Sequence, residues 1–166
     1  MDDARLILEN DKEAPPGFVC VAGEQLQGRG RLGRTWISAP GSGLYSTFYI
    51  KKKVGENAPL ITIVAAIAVA EATRLTTGVE LNFKWPNDVM YEGKKVSGIL
   101  AEAYTDSGDL NILLGIGINR EWSGNIPSEI ANIAVSLSEI AGFAPNTEEL
   151  LASLTNVLES KIFSIT

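Results

Sequence analysis

The sequence predicts an α+β fold in which a mixed, mostly antiparallel sheet is flanked by helices. Three observations carry this expectation. Short apolar runs are joined by turn residues at hairpin spacing, notably around Glu92-Gly93 and at residues 105–109. Residues 110–118 are apolar almost throughout, as suits a central strand buried on both faces. Residues 59–76 and 146–162 instead repeat their apolar side chains at helical spacing. Strands linked as hairpins and interspersed with helices form one layered domain. A chain of 166 residues with 45% hydrophobic content suffices for one such core.

Taken in order, residues 2–10 read as a short helix with Leu6 and Ile7 buried, stopped by Pro15-Pro16-Gly17. Residues 18–22 form a buried strand, 23–36 a loop, 40–43 a turn and 44–50 a second strand, followed by an exposed turn at 51–55. The longest helix spans 59–76, with Pro59 near its first turn and Gly78 ending it. Its Ile61, Val64, Ala65, Ala68 and Ala72 share one face, and so many small residues imply close packing on a sheet. Strands follow at 79–85, 89–91, 96–104 and 110–118, the first broken by Pro86-Asn87-Asp88. After a polar loop at 121–127, residues 131–141 read as a short helix ending at Gly142. Asn146 and Glu149 then cap a last helix whose core face holds Leu150, Leu151, Leu154, Val157, Leu158 and Ile162.

Composition narrows the function. A net charge of −6 argues against general nucleic-acid binding, which needs a basic face. Positive charge is local instead, at Arg29, Arg31, Arg34 and the three lysines 51–53. There is no histidine, which removes the usual nucleophilic triads, the imidazole base and most zinc sites. Any chemistry must run on Lys, Arg, Asp, Glu and backbone dipoles. The single cysteine, Cys20, reads as a small buried hydrophobe, and a reducing cytoplasm is the expected location. No signal-peptide pattern opens the chain, and the apolar stretch 58–70 is too short to cross a bilayer, so no membrane partner is expected.

Four places carry chemistry. Residues 23–36, GEQLQGRGRLGRTW, interleave Gly28, Gly30 and Gly33 with Arg29, Arg31 and Arg34 before Trp36. Such a loop lets the backbone approach a ligand while guanidinium groups fork onto an anion and the indole meets a flat ring. A disordered Gly/Arg linker or RNA-contacting tail has the same composition, but this stretch lies between two strands. Lys84-Trp85-Pro86-Asn87-Asp88 is the second place, readable as an ordinary Asx turn or as a fixed presentation of Asn87 and Asp88. The third is Lys95 to Leu100, KVSGIL. Lys95 fits an exposed strand start, and Gly98 inside a strand marks a close approach. In the fourth, Gly115-Ile116-Gly117-Ile118-Asn119, alternate glycines give one smooth strand face, suited equally to helix packing or to a ligand floor. It is no dinucleotide fingerprint, since the GxGxxG spacing is absent.

Together and in this order, EQLQGRGRLGRTW, KWPNDV, KVSGILAE and GIGIN resemble the biotin protein ligases, over about residues 17–140. The resemblance implies a class II synthetase-like catalytic domain, a single domain over residues 1–166. It implies activation of biotin by ATP with Mg2+ to biotinyl-AMP, then transfer to one lysine of the biotin carrier domain of a carboxylase. By position, Gln25, Gly28, Arg29, Lys95 and Gly98 would bind biotin. Arg31, Arg34, Trp36 and Asn119 would hold the nucleotide. Lys95, Arg31 and Asp88 would be catalytic, with Asp88 beside the incoming lysine; the metal ligands stay unassigned. Relative to the family, the Ser-Thr-Asn segment before the first helix and the C-terminal β-barrel domain lie outside this sequence. Three other readings share features with it: a lipoate ligase-like acyltransferase, a non-catalytic biotin- or nucleotide-binding remnant, and an Arg-loop RNA-binding module that the acidic balance disfavours. Residues 110–118 could also pair across a homodimer.

Overall fold

In the computed structural model of the chain, the described residues are 1–11, 14–53, 60–122, 126 and 128–163. Their elements run α1 (Asp2–Asn10), β1 (Val19–Ala22), β2 (Gly43–Lys53), α2 (Ile61–Thr77), β3 (Asn82–Lys84), β4 (Asp88–Tyr91), β5 (Lys94–Asp106), β6 (Asp109–Asn119), α3 (Leu137–Ala141) and α4 (Thr147–Phe163). The strands form one six-stranded sheet in the order β1-β2-β6-β5-β4-β3. All five pairings are antiparallel, and the parallel component is a single bridge between Lys95 and Ala134. β6 is central as its apolar run requires, paired along its whole length with β2 on one side and from Asp109 to Ile118 with β5 on the other. Both of its hydrogen-bonding edges are thus used within the chain.

Alternation along the strands sorts the sheet into two faces. Leu44, Phe48 and Ile50 of β2, Ile99 of β5, and Ile112, Leu114, Ile116 and Ile118 of β6 point to one side and pack under α2 and α4. There Ala65, Ala68 and Ala72 are fully buried, so α2 lies close on the sheet, and α4 adds the buried Leu150, Leu154 and Leu158. Gly78 ends α2 in the left-handed region at φ 76°, and its N–H bonds to Arg74. Asn146 Oδ1 accepts the Glu149 N–H at 3.0 Å, the cap expected for α4.

The opposite face is covered differently. α1 seats Met1, Ala4 and Leu8 on Tyr49 and Leu113, with Phe18 and Cys20 beside them. The buried residue is therefore Ala4, whereas Leu6 and Ile7, expected inside, are exposed at 57% and 41%. The 1-4-8 stripe of α1 faces the sheet, and Leu6 and Ile7 fall off that stripe. Beyond α1 this face is open and bears the glycines of β5 and β6.

Other expectations shift for local reasons. β2 runs on through Lys53, because Lys51, Lys52 and Lys53 pair with Asn111, Leu110 and Asp109, and Lys52 is buried. Val54, Gly55 and Pro59, assigned above to a turn and a helix start, lie outside the described residues, as do 123–125 and 127 of the polar loop. Only Asn82–Lys84 of the run 79–85 is strand. The 131–141 helix shrinks to Leu137–Ala141 because the chain before it is drawn onto β5. Lys95 N–H donates to Ile133 and Val135 N–H to Lys95 O, at 2.8 and 3.0 Å. The β5–β6 turn tightens to Ser107 and Gly108, both at positive φ, as a two-residue hairpin turn requires.

The core over α4 sets the stability of everything above it. Leu154→Ala, at a fully buried site, is expected to lower unfolding free energy by about 2–5 kcal/mol. Denaturant titration with an unchanged m-value checks this.

Candidate functional site

On the open face, strand register builds a floor. Tyr45, Gly117, Gly98 and Asp88 are Cα partners in one transverse row, and Cys20, Thr47, Gly115 and Leu100 make the next. The register between β4 and β5 shifts at Val89/Met90, which sets Lys95 opposite Met90 at the end of the floor. Burial pushes the Tyr45 phenol up to about 12, so it stays a neutral donor, bonded to Ala39 O at 3.3 Å.

The arginine stretch folds back over this floor as a hairpin. Trp36 N–H donates to Gly28 O at 2.8 Å and Gly30 N–H to Arg34 O at 2.7 Å, and Arg29 bridges to Thr35. The tip, Arg31–Gly33, is one 3₁₀ turn in which Leu32 (φ 56°) and Gly33 (φ 72°) are left-handed. At the base, a Cβ on Gly28 would lie 2.1 Å from Trp36 O, so only glycine closes the hairpin.

The hairpin delivers Trp36 onto the floor. A Cβ on Gly98 would meet the indole at 2.8 Å, and one on Gly117 would meet it at 2.7 Å. Two bare glycines on adjacent strands thus leave the depth of one aromatic ring. Lys95 Nζ lies 5.2 Å from the centroid of that ring, a cation–π distance, and 2.6 Å from Asp88 Oδ1. Trp36, Lys95 and Asp88 therefore touch in sequence, and the buried Trp36 Nε1 has no hydrogen-bond partner among the described residues.

Nine of the ten residues singled out from the sequence, Gln25, Arg29, Arg31, Arg34, Trp36, Asp88, Lys95, Gly98 and Asn119, line one open cavity of about 1330 Å³. The tenth, Gly28, lies instead on a recess of about 710 Å³ behind the hairpin, with Leu100 and Glu102. Besides the Lys95–Asp88 pair, Arg29 and Asn119 have their polar groups engaged. The Arg29 guanidinium is ion-paired with Asp2 and lies 3.8 Å from Glu102 Oε1, so the hairpin's charges do not simply await an anion. Asn119 is buried and donates to Lys95 O and Val135 O at 3.1 and 3.3 Å, which pins the backbone of Lys95. The close approach expected at Gly98 is made by Trp36 and the end of Lys95.

Other cavity residues escaped sequence reasoning. Asn87 belongs to the second motif, but the sequence assigns it no role. Its Nδ2 donates to Ile99 O and its own carbonyl accepts the Ile99 N–H, both at 3.0 Å, while its Oδ1 accepts from Arg31 at 3.3 Å. Tyr45, Thr47 and Cys20 reach the cavity by alternation along β2 and β1, a signal the sequence carries once register is known. Asp2 and Glu102 are near it only through tertiary packing. Among the described residues, no cluster of three or more His, Cys, Asp or Glu side chains could hold a metal ion, and no helix is long and apolar enough to cross a membrane.

A floor of glycine under an aromatic ring, a paired lysine at its end and arginines on its rim make a site for a molecule with a flat ring and anionic groups. Similarity to known proteins agrees. Residues 4–119 match the biotin/lipoate A/B protein ligase family. The bifunctional ligase/repressor BirA of Bacillus subtilis is 36% identical over 135 residues, 80% of this chain and 42% of that protein. The chloroplastic biotin–protein ligase 1 of Arabidopsis thaliana is 36% identical over 171 residues, 96% of this chain and 44% of its own length. This chain thus spans less than half of those relatives. The biotin protein ligase of Aquifex aeolicus in complex with biotin and ATP superposes with a TM-score of 0.81 at 37% identity, over 94% of this chain and 66% of that one. The Leishmania major enzyme with biotinyl-5-AMP gives 0.76 at 26% identity, over 99% and 74%. The fold is that of biotin protein ligase catalytic domains, and the chain belongs to the biotin/lipoate A/B protein ligase family.

Proposed function

We propose that this chain is the catalytic domain of a biotin protein ligase, which joins biotin to AMP and then passes the biotinyl group to a lysine of a carboxylase's carrier domain. The observation that supports this best is the single cavity shared by Trp36, Lys95, Asp88, Arg31 and Arg34. In the first step a biotin carboxylate oxygen attacks the α-phosphorus of ATP. The bond from that phosphorus to the bridging oxygen breaks, and pyrophosphate leaves with its electrons. No proton moves, so a site without histidine is sufficient.

What the step needs is fixed positive charge, because two anions meet and charge builds at phosphorus. Lys95 supplies it by exchanging Asp88 for the incoming carboxylate and α-phosphate. Arg31 and Arg34 cover the phosphates from the hairpin, Trp36 packs against adenine, and Asn119 keeps Lys95 in place from behind. Gln25 hydrogen-bonds the ureido ring of biotin at the other end. In the second step the carrier's ε-amine attacks the acyl carbon, AMP leaves, and Asp88, freed from Lys95, accepts the proton of the amine. Magnesium, brought in with ATP as part of the substrate, would lower the charge on the phosphates. A cytoplasmic location, where ATP and a carrier domain are both at hand, fits this chemistry.

Biotin-dependent exchange of pyrophosphate into ATP tests the proposal. Exchange with lipoate in place of biotin assigns the chain to acyl transfer of the lipoate kind. Biotin binding without exchange makes it a binding module.

Two variants follow. Lys95→Ala is expected to lower exchange by about 10²–10³-fold, the cost of removing one preorganised charge from a reaction centre. Its thermal midpoint should move little, since Lys95 is partly exposed. Full exchange in that variant removes Lys95 from the mechanism. Arg31→Gly is expected still to form biotinyl-AMP but to release it about 10- to 100-fold faster, the loss of one charge-assisted bond. The released adenylate would then biotinylate lysines on an unrelated protein in the same tube, read by blotting. Equal bystander labelling by wild type and variant contradicts the lid role.

A further inference from the structure

We propose that Glu102 and Asp2 are positioning residues that, through Arg29, set the arginine hairpin and Trp36 over the glycine floor before any ligand arrives. The proposal rests on the ligase reading for what the hairpin covers, but not for how the hairpin is held. Glu102 lies on the open face of β5, two residues beyond Leu100 and four beyond Gly98. One of its carboxylate oxygens pairs with Arg5 of α1, and the other lies 3.8 Å from Arg29 of the hairpin. Asp2, in the first turn of α1, pairs with the same Arg29 guanidinium. Two acids and two arginines thus lace three segments, α1, the hairpin and β5. The Glu102 side chain is 29% exposed, which screens it less than a fully solvated ion.

The effect reaches Trp36 through backbone. Arg29 bridges to Thr35, and Gly28 O holds the Trp36 N–H, so Arg29 and Trp36 belong to one small rigid ladder. Apart from the seating of Trp36, the other side-chain tether among the described residues is a 3.3 Å contact from Arg31 to Asn87. Among the described residues, Arg29 is the one arginine of the hairpin with an ion pair. Three cations within six residues repel one another, and pairing the first with two carboxylates offsets that repulsion where the hairpin meets the sheet. On this account Arg29 anchors the loop and does not receive the anionic substrate.

The test uses the full chain without ligand. Trypsin cleavage after Arg31 and Arg34 reports how often the hairpin opens. Glu102→Gln and Asp2→Asn together should raise that cleavage about fivefold, the scale of two partly exposed ion pairs. They should move the thermal midpoint by no more than about 4 °C. Cleavage at the wild-type rate overturns the proposal. Asp2→Asn alone, which leaves the sheet untouched, should raise cleavage by a smaller factor, and no rise at all also overturns it. In biotin-dependent pyrophosphate exchange, Glu102→Gln should raise KM for biotin about fivefold with kcat within about twofold, since what is lost is binding set up in advance. Arg29→Gln combined with Glu102→Gln should then be no worse than Arg29→Gln alone. Additive losses mean that Arg29 meets substrate directly and overturn the anchor role. A wild type with no exchange contradicts the ligase reading, while cleavage still decides the anchor.

Discussion

The site depends on one steric fact: two adjacent strands carry no side chain where Trp36 lies. Gly98 and Gly117 are Cα partners, and a methyl on either would meet the indole well inside contact distance. With the ring seated, Lys95 has an aromatic face on one side and Asp88 on the other. Seating it also requires Gly28, because the hairpin can close only if its first residue fits under Trp36 O. The chemistry of the arginine loop and of the lysine strand therefore meets through backbone packing, before any charge is considered.

The two faces of the sheet divide the work. The side under α2 and α4 is a closed aliphatic core, which gives the strands the rigidity that a positioned site needs. The other side holds only a small apolar cluster beneath α1, and its remaining cover is polar and loop-built. Asn119 connects the two, since it is buried at the end of central β6 and fixes both Lys95 and the segment that leads to α3. This division explains how an acidic chain presents a cationic site. Positive charge is gathered on one exposed hairpin and one strand end, and acids such as Glu102, Asp2 and Asp88 hold it in position.

Much of this was legible in the sequence, and the reasons are specific. α2, the β5–β6 hairpin, the cap of α4 and the centrality of β6 follow from periodicity and turn chemistry, which are local. The four motifs marked the cavity because each breaks a local rule: glycine within strands, proline after a strand, arginines among glycines. What escaped was set by long-range pairing. Residues 133–135 carry a helical pattern but are drawn onto Lys95 as extended chain. Leu6 and Ile7 stay outside because α1 meets the sheet through Met1, Ala4 and Leu8, a choice made by Tyr49 and Leu113 across the gap. The carboxylate partners of Arg29 lie 27 and 73 positions away in sequence, where no spacing rule could find them.

Substrate binding depends most directly on the depth of the glycine floor, and calorimetry can measure it. Titrating wild type with biotin, alone and then with ATP and magnesium, should show binding that tightens markedly in the second case. Gly117→Ala places a methyl where the indole lies, and it should lose at least about tenfold of that tightening, equivalent to about 1.4 kcal/mol, while remaining folded. Tightening of wild-type size in Gly117→Ala would show that Trp36 need not lie on the floor for substrate to bind, and would contradict the account.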